Sequence, residues 1–165
     1  MRPAIATLIF VVLVPGTVIV IVPWLLSDWK LAEPFFGWMG IRWIGLALVT
    51  LGLPVVGEAM VRFVRDGLGT PAPILPPERL VVSGPYRYVR NPMYIGVISM
   101  VVGQALIFGS RAVLVYALCV AAAFHAFVLW YEEPTLHRRF GAEYEAYRRE
   151  VHRWRPRVTP WTLGR

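Results

Sequence analysis

The chain has 165 residues, of which 57% are hydrophobic and 16% are charged. An average soluble domain is about 45–50% apolar and about 25% charged, so the composition predicts a single domain with much of its surface facing lipid. The single cysteine, Cys119, excludes an intrachain disulfide framework and any cysteine-based zinc or redox motif. The net charge of +7 is better explained by membrane topology and anionic lipid than by nucleic acid, since no nucleic-acid-binding motif accompanies it.

Four apolar runs predict an all-α polytopic membrane protein of one domain, residues 1–165, with spans at about residues 4–26, 41–64, 93–108 and 112–131. The first run lacks charge over 23 residues, enough to cross a hydrocarbon core of about 30 Å at about 1.5 Å per residue. Its length favours a retained span over a cleaved signal peptide. Pro15-Gly16 predicts a kink in this span. Only three residues separate the third and fourth runs, which predicts a tight antiparallel hairpin.

The distribution of basic residues predicts the orientation of the chain. Of the 17 lysines and arginines, only Lys30, Arg42 and Arg111 lie on the side opposite the termini. We therefore expect both termini, the loop 65–92 and the tail 132–165 to be cytoplasmic. The membrane is expected to be a plasma membrane, of the kind found as the prokaryotic inner membrane.

The two cytoplasmic segments are predicted to be ordered. The loop 65–92 is rich in Pro and Gly, but it carries apolar residues to bury, among them Ile74 and Leu75. Pro134 suits the first turn of a helix in the tail, and Pro156 is expected to end it. Apolar residues at three- and four-residue spacing predict that this helix is amphipathic: Leu136, Phe140, Tyr144, Tyr147 and Val151.

Three segments between residues 70 and 156 carry a family resemblance. They are "PAPILPPERLVVSGPYRYVRNPMYIG", the pair Glu132-Glu133, and "FGAEYEAYRREVHRWRP". Together they resemble the isoprenylcysteine carboxyl methyltransferase and phospholipid methyltransferase superfamily, whose members are integral membrane enzymes that use S-adenosylmethionine. The first is similar to the family's stretch ending in Arg-His-Pro-x-Tyr-x-Gly, and the third to its Phe-Gly-x-x-Tyr-x-x-Tyr tail with its later Arg and Pro. Asn91 stands where the family usually has His, and Asn cannot take a proton near neutral pH.

The resemblance implies a cytoplasmic site for S-adenosylmethionine and no metal. Glu133 and Arg90 are the expected catalytic residues. If the loop and the tail fold over the hairpin, Arg90, Asn91 and Tyr94 approach the two carboxylates, and aromatic rings with carboxylates suit a sulfonium cation. The expected cofactor-binding residues are Tyr88, Asn91, Pro92, Tyr94, Gly96, Glu132, Glu133, Tyr144 and Arg148.

Simpler readings of the polar residues stay open. The tyrosines of the loop could be interfacial anchors, and the two carboxylates a solvated helix end paired with nearby arginines. Glu58 could pair with Arg62 four residues later or line a cavity. His125 could be a packed helix residue or support the carboxylates, and Gln104 is expected to form a hydrogen bond between helices.

The predicted activity is methyl transfer from S-adenosylmethionine to a lipophilic or membrane-associated acceptor. A carboxylate or thiol acceptor, as in isoprenylcysteine carboxyl methylation, is preferred, because Asn91 is no base and arginines suit an already anionic nucleophile. N-methylation of a phospholipid amine is the alternative, and it would need a carboxylate such as Glu58, Glu132 or Glu133 to take a proton. A non-catalytic membrane protein on the same scaffold is a further alternative.

Overall fold

The computed structural model describes residues 14–67 and 79–162. In these two ranges the chain is helical and contains no strand. The helices are α1 (Val14–Ser27), α2 (Gly40–Gly67), α3 (Pro92–Phe108), α4 (Arg111–Phe127) and α5 (Glu133–Glu150). A π-helical turn, Val128–Glu132, joins α4 to α5, and short 3-10 turns lie at Phe35–Gly37 and Gly84–Arg87.

Two stretches of the described helices are long and apolar enough to cross a membrane, Gly40–Phe63 and Arg111–Glu150. Helices α1 and α3 are apolar but shorter. A π-helical turn, Thr17–Ile21, follows Pro15-Gly16, where the sequence predicts a kink. Residues 4–13 of the first predicted span lie outside the described residues, as do Ile74 and Leu75 of the loop. The number of spans therefore stays a prediction, while the all-helical class is confirmed for the described part of the chain.

Tryptophans are exposed near the two ends of the helical bundle. Trp130, beside the end of α4, is 82% exposed, and Trp43, in the first turns of α2, is 73% exposed. Trp24, Trp29 and Trp38 are also exposed and lie near Trp43 in the sequence. Such amphipathic rings are typical of the boundary between hydrocarbon and headgroups. The pattern supports a membrane location.

Glycines bring α2 and α3 into close contact. A Cβ atom built on Gly103 would lie 2.6 Å from the carbonyl oxygen of Gly45, and one on Gly45 would lie 2.6 Å from that of Gly103. One heptad away, a Cβ on Gly52 would meet the Gly96 carbonyl oxygen at 2.9 Å. The Ser99 hydroxyl also donates to a carbonyl oxygen of α2 at 3.0 Å. Small residues at a helix interface allow this close backbone approach in membranes.

Helix α1 contains Pro23, which has no N–H to donate to the preceding turn. Two side chains from α3 and α4 bind the carbonyl oxygens there. Gln104 Nε2 donates to Ile19 O at 2.8 Å, and the Tyr116 hydroxyl donates to Val18 O at 3.2 Å. The predicted interhelical role of Gln104 is thereby confirmed, and its partner is a backbone carbonyl oxygen four residues before Pro23.

The predicted hairpin of α3 and α4 is confirmed. Gly109 ends α3 in the left-handed region, with φ of +66°, and its turn packs against the backbone of Glu33. The Ser110 hydroxyl accepts from Val113 N at 3.3 Å and so caps α4. Val101, Ala105, Val113 and Ala117 form a buried cluster between the two helices.

Helix α5 is amphipathic, as its spacing predicts. Tyr144, Tyr147 and Val151 are buried together, and Leu136 and Phe140 pack against them. Pro134 lies in the first turn, as expected. The helix bends at a glycine, Gly141, whose φ is +49°. The prediction that the helix ends at Pro156 is wrong.

The helix ends at Glu150, and Val151 is already extended, with φ of −110° and ψ of 121°. The cause is a competing set of hydrogen bonds. Beyond Glu150 the backbone bonds to the loop before α3 instead of continuing the helical ladder, as with the bond from Arg90 N to His152 O at 3.0 Å. Leu80 and Val82 of this loop pack against the α5 cluster.

Candidate active site

The site is organised by the segment that follows α5. We call residues 151–162 the C-terminal strap. The strap runs antiparallel to the end of the loop before α3, because residues 90, 88 and 87 bond in turn to residues 152, 157 and 161. These bonds are Arg90 N to His152 O at 3.0 Å, Arg157 N to Tyr88 O at 2.9 Å and Trp161 N to Arg87 O at 2.9 Å. The strap thus joins the tail to the residues that begin α3.

Glu133 lies at the centre of a buried ionic cluster. Arg153 in the strap donates from Nε to Glu133 Oε1 and from Nη2 to Oε2, both at 2.7 Å. Arg90 Nη1 lies 2.9 Å from Glu133 Oε1 and donates to the Tyr144 hydroxyl at 3.1 Å. The Glu133 side chain is 11% exposed and that of Arg90 is 10% exposed. Two arginines, one from the loop and one from the strap, therefore meet at one carboxylate of α5, and Tyr144 joins the cluster through Arg90.

The charge of Glu133 is stabilised by this cluster. Burial alone would raise the pKa of the Glu133 carboxyl, but the hydrogen bond from Arg153 and the charges of Arg90 and Arg153 hold that pKa below its usual value. The carboxylate therefore stays ionised at neutral pH. One hydrogen-bond donor of the cluster is unpaired: Arg90 Nε is buried and has no acceptor among the described residues.

Glu132, the adjacent carboxylate, lies in a different environment. Its Oε2 accepts a hydrogen bond from the Tyr94 hydroxyl at 2.9 Å. The Tyr94 ring packs on Phe124, with ring centroids 4.6 Å apart. Burial raises the pKa of Glu132 to about 7, the hydrogen bond from Tyr94 opposes this shift, and the charge of Glu133 adds to it. Two neighbouring carboxylates with pKa values moved in opposite directions are a common basis for separate roles in a site.

Several predicted site residues are brought together by this arrangement. Arg90 reaches Glu133, and Tyr94 reaches Glu132, as expected from folding the loop and the tail over the hairpin. Tyr144 joins them through Arg90. Asn91 is buried, and its Nδ2 donates to the backbone oxygen of Arg153 at 3.2 Å. Pro92 is buried in the first turn of α3.

Three predicted cofactor residues have other contacts in the structure. Tyr88 is 39% exposed, and its backbone oxygen holds the strap. Gly96 lies between α3 and α2, where an added Cβ would be 2.6 Å from Val56 Cγ2. Arg148 is 47% exposed and pairs with Glu145 at 3.2 Å. None of these contacts tests cofactor binding.

Two other polar pairs were open in the sequence. Glu58 pairs with Arg62, whose Nε lies 2.7 Å from Glu58 Oε1, and both side chains are at least one-third exposed. His125 Nδ1 accepts from the indole Nε1 of Trp154 at 3.0 Å. The strap therefore contacts α4 as well as the loop.

Arg153 is the residue of the cluster that the sequence reasoning missed. The tail holds many arginines, and their composition gives no reason to choose this one. A usable signal is its position two residues after the buried Val151, because an extended backbone places such residues on the same side. That signal requires knowing that the helix ends at Glu150.

Residues 41–143 match the family described as phospholipid methyltransferase. The match spans α2, α3, α4 and the first half of α5, which is more than half of the chain. The chain belongs to the phospholipid methyltransferase family. No curated protein matches the chain at a significant level.

Membership of this family implies methyl transfer as the general activity and a membrane as its location. The matched range contains Asn91, Tyr94 and both glutamates, whereas Tyr144 and Arg153 lie beyond its end. The phospholipid methyltransferase match thus covers the helical hairpin and its two carboxylates. The contacts made by the strap are a property read from the structure of this chain.

Proposed function

We propose that the protein transfers a methyl group from S-adenosylmethionine to an amine in a membrane lipid headgroup. The observation that carries this choice is the environment of Glu132. A partly buried carboxylate that accepts a hydrogen bond from Tyr94, whose ring packs on Phe124, combines negative charge with aromatic rings. Such a combination attracts an ammonium group. The family to which the chain belongs supports the same general activity.

The Glu133 cluster offers groups that fit the polar end of S-adenosylmethionine. The buried and unpaired Arg90 Nε is a donor suited to a carboxylate such as that of the methionyl group. Glu133 is an ionised acceptor suited to an ammonium or to ribose hydroxyls. When bound, S-adenosylmethionine would supply a methyl group activated by a positively charged sulfur. Arg90, Glu133 and Tyr144 are therefore proposed to hold it.

Charge pairing disfavours the anionic acceptor that the sequence suggests. Arg90 and Arg153 are already paired with Glu133, and Arg148 is paired with Glu145. An anionic acceptor would have to share these arginines with Glu133 or Glu145, and the one unpaired donor, Arg90 Nε, is the one proposed to bind the methionyl carboxylate. A cationic amine needs no such exchange, because it would meet the carboxylate of Glu132.

An ammonium acceptor must lose a proton before its nitrogen can attack a methyl carbon. Tyr94 bonds Oε2 of Glu132, and Oε1 has no partner among the described residues. We assign Oε1 as the atom that takes this proton. The pKa of about 7 suits the assignment, since a base works best when its pKa is near the working pH.

The location of the site suits a lipid substrate. Tyr94 and Phe124 belong to the third and fourth predicted spans, and the exposed Trp130 lies close in sequence to Glu132. A headgroup could approach Glu132 from the bilayer while the cofactor approaches the Glu133 cluster from the cytoplasm. Both the four-span topology and the cytoplasmic orientation are part of the proposal.

Labelled cofactor tests the function. Membranes containing the protein are incubated with methyl-labelled S-adenosylmethionine, and lipids are extracted and treated with base. We expect label that stays in phospholipid headgroups. Volatile, base-labile label would instead mark a methyl ester, and absence of any protein-dependent label would favour the non-catalytic scaffold.

Matched carboxylate variants localise the proton acceptor in the same assay. Glu132→Gln is expected to lose most of the label incorporation. Glu58→Gln removes an exposed carboxylate that pairs with Arg62, and it should retain the activity. Equal activity of the two variants would remove Glu132 from the proposed role.

A further inference from the structure

We infer that Arg153 is a positioning residue, which holds Glu133 in the orientation needed for the cofactor, and that Asn91 acts on the site by fixing the backbone of Arg153. The inference rests on the proposed function, because it takes Glu133 to be a cofactor contact. The sequence resemblance assigns no role to Arg153 and connects Asn91 directly to the cofactor.

The geometry of the Arg153–Glu133 pair is that of a fork. Two donors of Arg153 meet the two oxygens of Glu133, each at 2.7 Å. A bidentate pair fixes the plane of the carboxylate as well as its distance. Arg90 contacts only Oε1 of Glu133. Arg153 is thus the residue that sets the rotation of the carboxylate.

The backbone around Arg153 is held on both sides. Asn91 Nδ2 donates to Arg153 O at 3.2 Å, and the preceding residue, His152, accepts from Arg90 N at 3.0 Å. The side chain of the following residue, Trp154, donates from its indole Nε1 to His125 Nδ1 in α4. These bonds connect consecutive strap residues to the loop and to α4. The arginine is consequently presented to Glu133 from a fixed backbone.

In this arrangement Asn91 positions the strap by a hydrogen bond, and this role does not involve proton transfer. Its amide is buried and donates to the strap. Asn has a fixed amide donor at every pH near neutral, whereas a histidine would change its donors on protonation. The side chain can therefore maintain the position of Arg153 without touching the cofactor.

The test compares two substitutions of the same kind in the strap. Arg153→Lys keeps the charge but replaces a planar fork by a point charge, so it cannot bond both oxygens in the same way. Arg157→Lys is the matched control. The Arg157 side chain donates to Glu150 O at 3.1 Å and has no contact with Glu133. Purified proteins in detergent are titrated with S-adenosylhomocysteine by calorimetry, and hydrogen exchange of residues 151–162 is measured.

We expect Arg153→Lys to weaken binding of S-adenosylhomocysteine by about tenfold or more, the effect of losing a hydrogen bond to a charged group. Arg157→Lys should bind as the wild type does. Hydrogen exchange of the strap should be the same in all three proteins, since its backbone bonds remain. Equal affinity of the two variants would overturn the inference, provided that the wild type binds. A wild type that neither binds nor transfers methyl groups would refute the proposed function and the inference with it.

A second variant covers the case in which Arg153→Lys loosens the strap. In Arg153→Ala, added guanidinium ion at millimolar concentration should restore affinity more than methylammonium, because only guanidinium supplies two parallel donors. Restoration by both ions equally, or by neither, would overturn the positioning role.

Discussion

Replacing Glu133 by Gln should strongly destabilise the protein. The substitution keeps the size of the side chain but removes the negative charge from a carboxylate that makes contacts of 2.7, 2.7 and 2.9 Å with two arginines. One carboxylate oxygen becomes an NH2 group that faces a guanidinium donor. Arg90, whose side chain is 10% exposed, is then left with a buried and unpaired charge. Breaking a buried ion pair on one side costs about 3–5 kcal/mol.

Thermal unfolding in detergent, followed by the fluorescence of the tryptophans, measures this cost. Glu150→Gln is the control, since Glu150 is 60% exposed and pairs with Arg157 at 3.7 Å; such pairs contribute about 0–1 kcal/mol. Adding Arg153→Gln to Glu133→Gln should recover part of the loss, because fewer charges remain unpaired. If Glu133→Gln melts at the temperature of Glu150→Gln, the buried cluster does not hold the fold together as described.

Three further outcomes are expected. The methylation rate should rise with pH through about 7 as Glu132 loses its proton. Glu132→Gln should lower kcat about 100-fold or more and flatten this pH profile. A wild-type rate that is constant from pH 6 to 8 would contradict the assignment of Glu132 as the base. Gly103→Ala should destabilise by about 1–3 kcal/mol in thermal unfolding, because its Cβ would meet the Gly45 carbonyl at 2.6 Å, and a neutral effect would refute the close approach. Asn91→Asp removes the donor to Arg153 O and should speed hydrogen exchange of the strap, whereas unchanged exchange would show that this bond is dispensable.

The helices of this protein were largely predictable from sequence because the bilayer imposes long apolar runs. The third predicted span, residues 93–108, differs from α3 by one residue at its start. The hairpin after it could be predicted because only Gly109 and Ser110 connect α3 to α4, and so short a connection requires a tight turn. The α5 face was predictable from the spacing of Tyr144, Tyr147 and Val151. In each case the signal is local.

The site could be predicted only in part. The approach of Arg90 to Glu133 and of Tyr94 to Glu132 followed from the hairpin, since its two ends lie at the same membrane face. The contact between Arg153 and Glu133 could not be predicted from the hairpin. It depends on how the 12 irregular residues of the strap pair with a loop some 60 residues earlier. Irregular backbone pairing has no periodicity, and an arginine in a basic tail is not distinguished by composition.

The opposite environments of Glu132 and Glu133 were likewise hidden in the sequence. The two residues are adjacent and chemically identical, and they differ only in what reaches them. Arginines from the loop and the strap reach Glu133, whereas a tyrosine of α3 reaches Glu132. The π-helical turn ends at Glu132, and Glu133 is the first residue of α5.

The most direct test of methyl transfer to a lipid amine uses the purified protein in nanodiscs of defined lipid. Methyl-labelled S-adenosylmethionine is supplied to nanodiscs of phosphatidylethanolamine and to nanodiscs of phosphatidylcholine, whose nitrogen carries no proton. We expect labelled headgroups in the first and none in the second, and in the first the Glu132→Gln variant should show little of the wild-type label. Absence of label from phosphatidylethanolamine in the presence of a wild-type protein that methylates an added carboxylic acid or thiol would contradict methyl transfer to a lipid amine.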